Sequence, residues 1–159
     1  MKGIGLILVL LLVVGCATTP KLSSMQVRQI TTKDINGSYE NIYRATMTVL
    51  QDEGYIIKNT DMDSGLIVAD IDRETSRTTQ FLQQMAGAKT WDKGTQIQIS
   101  AMVNKINDDL SKLRINIQEI NYNQHGGKSR ITQIREEKVY YDLFNTIITE
   151  VRRREAMKQ

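Results

Sequence analysis

The sequence predicts an α+β fold: an antiparallel sheet with two main amphipathic helices packed on one face, a helix-grip-like two-layer sandwich. Three observations point to it. Apolar residues recur at helical spacing in two separated segments, near 39–53 and 138–155. Several other segments alternate apolar and polar residues with the period of a strand. Short polar turns join neighbouring strand segments, which forces antiparallel pairing, and polar alternate residues keep one sheet face wet, so the helices belong on the other.

Taken along the chain, Met25 and Val27 alternate with Gln26 and Arg28, the pattern of a short strand reaching about Thr31. A helix is expected from about Tyr39 to Glu53. Tyr39, Ile42, Tyr43, Met47, Val49 and Leu50 form its apolar stripe, Ser38 can cap it, Glu40 suits the positive end of its dipole, and Gly54 can take the left-handed conformation that ends it. Tyr55–Asn59 and Leu66–Ile71 flank the polar turn Asp61-Met62-Asp63-Ser64-Gly65, a hairpin. Residues 73–94 lose the alternation and read as a long excursion with one short helix near 78–86, carrying Phe81, Leu82 and Met85, with Trp91 further on.

Order returns at Gln96. Ile97, Ile99, Ala101 and Val103 alternate with polar residues, Asn107-Asp108-Asp109 turns the chain, and Leu113, Ile115 and Ile117 alternate in their turn. There the phase slips, because Glu119 stands where an apolar residue is due and Ile120 and Tyr122 take the other parity. A β-bulge near 118–120 is expected to re-aim those side chains. A loop from Asn123 to Lys128 leads to a last strand around Arg130–Ile134. The closing helix, about 138–155, carries Tyr140, Leu143, Phe144, Ile147, Ile148 and Val151 on one stripe and ends in Arg152, Arg153 and Arg154, cations at the negative pole. The parity of the two central strands then requires Ile97, Ile99, Ala101, Val103, Leu113, Ile115 and Ile117 to share one face with both helical stripes.

Ahead of this domain lies one basic residue, Lys2, then an apolar run from Ile4 to Val14, then Gly15 and Cys16. That order is a secretory signal peptide, and the run is short of the roughly 20 apolar residues a spanning helix needs. Val13-Val14-Gly15-Cys16 resembles the lipobox of bacterial lipoproteins, with Val13 in place of the usual Leu. The resemblance implies cleavage before Cys16, a diacylglycerol on its sulfur and, usually, an acylated amine. The competing reading, an uncleaved anchor with an incidental cysteine, sits poorly with the abrupt change to Ala17-Thr18-Thr19-Pro20-Lys21. The expected organisation is a signal peptide over 1–15, a lipidated cysteine and flexible tether over 16–24, and a single α+β domain over 25–155. By analogy with enteric-type sorting, Ala17 rather than Asp after the cysteine favours the periplasmic leaflet of the outer membrane over the inner membrane.

Cleavage would leave 144 of the 159 residues, enough for one domain with a core. With Lys2 gone, 20 of the 21 basic residues face 18 acidic ones, too even a balance for a dedicated nucleic-acid binder. Cys16 is the only cysteine, so its lipidation excludes a disulfide within the mature chain.

No motif of catalysis, cofactor binding or metal binding survives inspection. Asp61-x-Asp63-x-Gly65 with Asp72 at the twelfth position has a calcium loop's outline, but the glycine is one place early and the following residues read as strand. Gly126-Gly127-Lys128-Ser129 lacks the first glycine of a phosphate loop, Tyr122 standing there, and a strand rather than a helix follows. His125, the only histidine, lies beside two glycines as an exposed loop residue would. Asp70 and Asp72 share a strand face in the manner of a solvated edge. Arg152–Arg154 could meet anionic headgroups, but helix-end pairing explains them more simply. Tyr39, Tyr43, Tyr140, Tyr141 and Phe144 read mostly as core.

Met25–Ile30, Arg44-Ala45 with Val49–Ile57, Asp63–Ala69 and Tyr140–Phe144 together resemble a family of small Gram-negative outer-membrane lipoproteins of unestablished function, a resemblance covering most of residues 25–151. The layout is also similar to the helix-grip domains of the BAM-complex lipoprotein BamC. Both resemblances imply an anchored envelope protein and carry over no catalytic residue. The expectation is a non-catalytic interaction module of an envelope assembly or transport complex, held to the membrane through Cys16 and docking to an envelope protein. The alternative is a carrier of a lipid or other hydrophobic ligand beneath the final helix.

Overall fold

The structure is a computed structural model that describes residues 22–72, 95–123, 125 and 127–157. Cys16 and the expected short helix at 78–86 with Trp91 lie outside the described residues. The chain runs α1 (Ser24–Thr31), β1 (Thr32–Asn36), α2 (Tyr39–Asp52), β2 (Ile56–Asp61), β3 (Leu66–Asp72), β4 (Thr95–Asn107), β5 (Leu110–Tyr122), β6 (Lys128–Gln133) and α3 (Glu137–Ala156). The architecture is α+β. All strand pairs are antiparallel, in the order β1-β5-β4-β3-β2, with β6 also paired to β5.

The segment expected as the first strand is a helix. Ser23 caps α1 reciprocally: its hydroxyl accepts from the Gln26 backbone at 3.3 Å, and the Gln26 side chain accepts from the Ser23 backbone at 2.8 Å. This capping box satisfies two amide groups that a helix start otherwise leaves open, and it outweighs a two-residue apolar alternation. The apolar residues that matter are Val27 and Ile30, three apart, with Ile30 packed against the core. Ser23 and Ser24, placed by composition in the tether, cap and open this helix. The strand follows it as β1, polar except for buried Ile35.

From α2 to β3 the structure follows the sequence closely. Ser38 caps α2 through the Asn41 backbone N–H, and Gly54 at φ +86° ends it, the Tyr55 N–H returning to the Leu50 carbonyl at 2.9 Å. The β2–β3 hairpin turns at Gly65, φ +75°. β3 is paired on both sides, to β2 and to β4, so the strand bearing Asp70 and Asp72 is interior and not a solvated edge.

Ile97, Ile99, Ala101 and Val103 stand directly opposite Glu119, Ile117, Ile115 and Leu113, so all seven apolar residues share one face. Ile67, Ala69 and Ile71 of β3 join them, and the stripes of α2 and α3 close the layer: Ile42, Tyr43, Val49 and Leu50 from one, Tyr140, Leu143, Phe144, Ile147 and Val151 from the other. Each such side chain removed from water contributes about 1.5–3 kcal/mol, which makes this contiguous layer the main source of stability.

The expected bulge at 118–120 is absent. The ladder runs Gln98↔Gln118, Ile97↔Glu119, Gln96↔Ile120 without a shift. Alternation is kept, so Glu119 stays on the helix side at the strand end, where it accepts from the Asn121 amide at 3.1 Å. Ile120 goes to the opposite face, where it is 1% exposed and outside the main core cluster. The irregularities fall instead at Ile57/Asn59, Lys105/Asn107 and Asn121/Tyr122.

Candidate functional site

Because α2 and α3 both lie on one face, every second side chain of β3, β4 and β5 points away from them. In register these form cross-strand rows: Leu66, Met102 and Arg114; Val68, Ser100 and Asn116; Asp70, Gln98, Gln118 and, from β6, Gln133; Asp72, Gln96, Ile120 and Ile131. The surface is rich in primary amides, and several are already locked. Gln133 Nε2 donates to Asn116 Oδ1 at 2.8 Å, Gln96 Nε2 donates to Asp72 Oδ1 at 3.0 Å, and the Tyr122 hydroxyl donates to Gln96 Oε1 at 2.8 Å.

A groove of about 520 Å³ crosses this face, walled by Ser100, Met102, Asn104, Arg114, Asn116 and Gln118 among others. At its β5–β6 end a second groove of about 610 Å³ shares Arg114 and Gln133 with it and runs beneath α1, with Arg28 on α1 and Arg135 on the connection to α3. A smaller hollow of about 260 Å³ lies on the far side of α1, between Ile30, Lys33, Glu137 and Tyr141. There the Lys33 ammonium stands 5.7 Å from the ring centre of the exposed Tyr141.

The sequence candidates fall as follows. Asp70 is 7% exposed, and its carboxylate pairs with the Lys58 ammonium at 3.3 Å. Asp61 serves its own turn: its carboxylate accepts from the Asp63 N–H at 3.0 Å. The Ser64 hydroxyl and the Asp63 amide hold this carboxyl below its ordinary range. His125 is exposed in the β5–β6 turn, which is organised by Asn123 Oδ1 accepting from the His125 and Gly127 backbones at 3.0 and 2.9 Å. Arg153 and Arg154 both bind Glu150, at 2.6 and 2.7 Å, and Arg154 reaches across to the Thr48 hydroxyl of α2 at 2.7 Å. Those two arginines are thus committed to the helix pair, and they hold the Glu150 carboxyl below its ordinary range. Tyr39 and Tyr43 stack with ring centres 6.3 Å apart and donate to the Met62 and Leu66 carbonyls, fastening α2 to the hairpin.

Among the described residues no cluster of three or more His, Cys, Asp or Glu side chains has the geometry of a metal site, and no helix is long and apolar enough to cross a membrane. The space between the sheet and α3 is filled by Tyr140, Phe144, Ile147 and Val151, each 3% exposed or less. The grooves lie outside that layer, on the other face and along α1.

The sequence reading missed the association of Arg28, Arg114 and Arg135. They come from α1, β5 and the β6–α3 connection, and only the pairing of β5 with β1 and β6 brings them to one groove. The single local signal was the capping box that makes residues 24–31 a helix.

No protein-family model matches the sequence, and no curated protein matches it. Among solved structures, the chain is similar to the adenylate sensor from AMP-activated protein kinase in complex with 5-aminoimidazole-4-carboxamide ribofuranotide, at 12% identity, over 75% of this chain and 93% of that one, with a TM-score of 0.40. It is also similar to a DUF4468 family protein from Bacteroides ovatus, at 14% identity, over 76% and 84%, with a TM-score of 0.36. At these TM-scores neither likeness bears on function.

Proposed function

We propose that the protein is a non-catalytic interaction module, tethered to an envelope membrane through a lipid on Cys16, that docks an envelope protein against the face of its sheet opposite α2 and α3. The observation that carries this reading is the groove across that face. Its polar walls are the amides of Asn104, Asn116, Gln118 and Gln133, the Ser100 hydroxyl and one guanidinium, that of Arg114, beside the apolar Leu66, Ala101 and Met102. Amides offer donors and acceptors together, which suits recognition of a peptide backbone or polar side chains. No histidine, lysine or carboxylate stands in the lining to activate the Ser100 hydroxyl. The carboxylates nearest in the sheet, Asp70 and Asp72, are already bound to Lys58 and Gln96.

A photo-cross-linking residue placed in the full chain at Gln118 and, separately, at Arg44 on the exposed side of α2 tests the docking face. The expected result is one discrete envelope-protein adduct from position 118 and none from position 44. The same adducts from both positions, or none from either, would remove the basis for docking on this face. The anchor is tested independently: Cys16→Ala should give a folded chain that is neither processed nor lipidated, and the mature N-terminal peptide of the unaltered protein should carry the mass of the acyl groups.

A further inference from the structure

The groove beneath α1 has a composition unlike the rest of the surface. Arg28, Arg114 and Arg135 line it, all three exposed, and no carboxylate does. Seven other cations of the domain are paired with carboxylates: Arg44 with Glu40, Lys58 with Asp70, Lys105 with Asp108, Lys112 with Asp34, Lys138 with Asp142, and Arg153 and Arg154 with Glu150. None of the three groove arginines has a carboxylate within 4 Å among the described residues. Three guanidinium groups thus line one groove with no carboxylate among its walls, and its other lining residues are the apolar Leu22, Val27 and Met25, the last 72% exposed, with the polar Ser24 and Gln133. Guanidinium groups beside exposed apolar side chains suit a membrane interface, where the cations meet phosphates and the apolar groups enter the acyl boundary.

The position of the groove in the chain supplies the second argument. Leu22, in its wall, is six residues from Cys16. Six residues, even fully extended, reach about 20 Å. A lipid on Cys16 would therefore hold this groove within about 20 Å of the leaflet.

We propose that the groove formed by Arg28, Arg114 and Arg135 binds the phosphate of an anionic phospholipid headgroup in the leaflet that carries the anchor. This extends the tethered-module reading and rests on its lipid anchor for the groove's placement, though not for its chemistry. The arginines would fix the orientation of the domain, which an acyl chain on a flexible tether cannot do. Phosphate oxyanions are the shared chemistry of a headgroup and of free phosphate. The apolar rim and the nearby anchor favour the lipid.

The test uses the full chain in uncharged maltoside micelles, titrated calorimetrically with micelles doped with phosphatidylglycerol, with phosphatidylcholine, and with inorganic phosphate in plain micelles. Saturable binding is expected for phosphatidylglycerol alone, weakening as salt is raised. Replacing all three arginines (R28Q/R114Q/R135Q) should weaken it on the order of a hundredfold, and R28Q or R135Q alone about fivefold. The single variants remain informative if the triple variant does not fold. R152Q/K128Q/R130Q removes the same charge outside the groove and should leave binding within about twofold. Equal loss in that control, or no loss in the groove variants, would overturn the site. Inorganic phosphate binding as tightly as phosphatidylglycerol would overturn the lipid assignment. Because detergent micelles replace the bilayer and its anchor, the titration reports on the groove, and the mass of the N-terminal peptide reports on the anchor.

Discussion

The phenol oxygen of Tyr140 lies 3.3 Å from the backbone nitrogen of Ile117 and accepts its N–H, while donating to the Ile134 carbonyl at 2.8 Å. β1 pairs with residues 110–114 of β5 and β6 with residues 118–122, leaving an interval on that edge of the strand. One hydroxyl from α3 fills part of that interval, and the Ile134 N–H, donating to the Ile117 carbonyl at 2.9 Å, fills more. Tyr140 is fully buried, so Tyr140→Phe strands the buried Ile117 amide and takes a donor from the half-buried Ile134 carbonyl. The expected loss is about 1–3 kcal/mol. Urea unfolding should show a lower midpoint at unchanged slope; an unchanged midpoint would mean that the hydroxyl does not close the strand edge.

Two buried phenols make the fold sensitive to alkali. Burial pushes the Tyr55 phenol well above its ordinary value, the Glu53 carboxylate adding to it. Burial likewise raises that of Tyr140, against the opposing effect of the Ile117 amide. In the unfolded chain both ionise near pH 10, at about the ordinary value. Above that pH the unfolded state gives up protons that the native state keeps, so it binds fewer protons and stability falls as pH rises. The stabilisation is fully present below about pH 10 and declines above it by up to about 1.4 kcal/mol per pH unit for each phenol. Urea midpoints at about pH 8 and about pH 11 should differ in this direction, with the full tyrosinate absorbance of all six tyrosines reached only on unfolding. Ionisation of all six without loss of structure would contradict the burial of these two groups.

How far the sequence disclosed this molecule can be judged from α1 and α2. α2 carries each of its signals inside one short window: Ser38 to cap it, an apolar stripe over 14 residues, Gly54 to end it. α1 has 8 residues and only a few apolar side chains, so two alternating ones read as a strand. The physical determinant is the Ser23–Gln26 capping box, present in the sequence as Ser-x-x-Gln beside the competing alternation of Met25 and Val27. Ile120 shows a different limit. Its parity slip is real, yet a slip is satisfied equally by a bulge or by burial on the other face, and only the ladder distinguishes them. The arginine groove was illegible for a third reason, since residues 28, 114 and 135 meet through sheet order alone.

Gly65 is fixed by its surroundings as well as by its backbone. At φ +75° an L side chain is strained, and a Cβ there would lie 2.0 Å from the Val103 carbonyl oxygen, a backbone atom of β4. The Gly65 carbonyl itself accepts from the Val103 N–H at 3.0 Å, so the hairpin cannot retreat without breaking the ladder. Gly65→Ala should destabilise by about 3 kcal/mol or more, from left-handed strain plus overpacking. Thermal unfolding would show it, and a variant within experimental error of the unaltered chain would mean the turn has another conformation available.

Ser111 offers the opposite sign. It is 0% exposed on β5, opposite Ile35 on one side and Lys105 on the other, and among the described residues its hydroxyl has no hydrogen-bond partner. A buried hydroxyl without a partner forfeits its hydration for nothing, so Ser111→Ala should stabilise the domain by about 1 kcal/mol. Thr46 is the comparison within the same protein: equally buried, it donates 2.8 Å to the Ile42 carbonyl. Thr46→Ala removes a bond that is made and a methyl that is packed, and should cost about 1 kcal/mol or more. Chemical denaturation of the two variants side by side should move the midpoint in opposite directions. If both fall, the Ser111 hydroxyl has a partner when folded, and the sheet end beneath α2 and α3 is wetter than this structure places it.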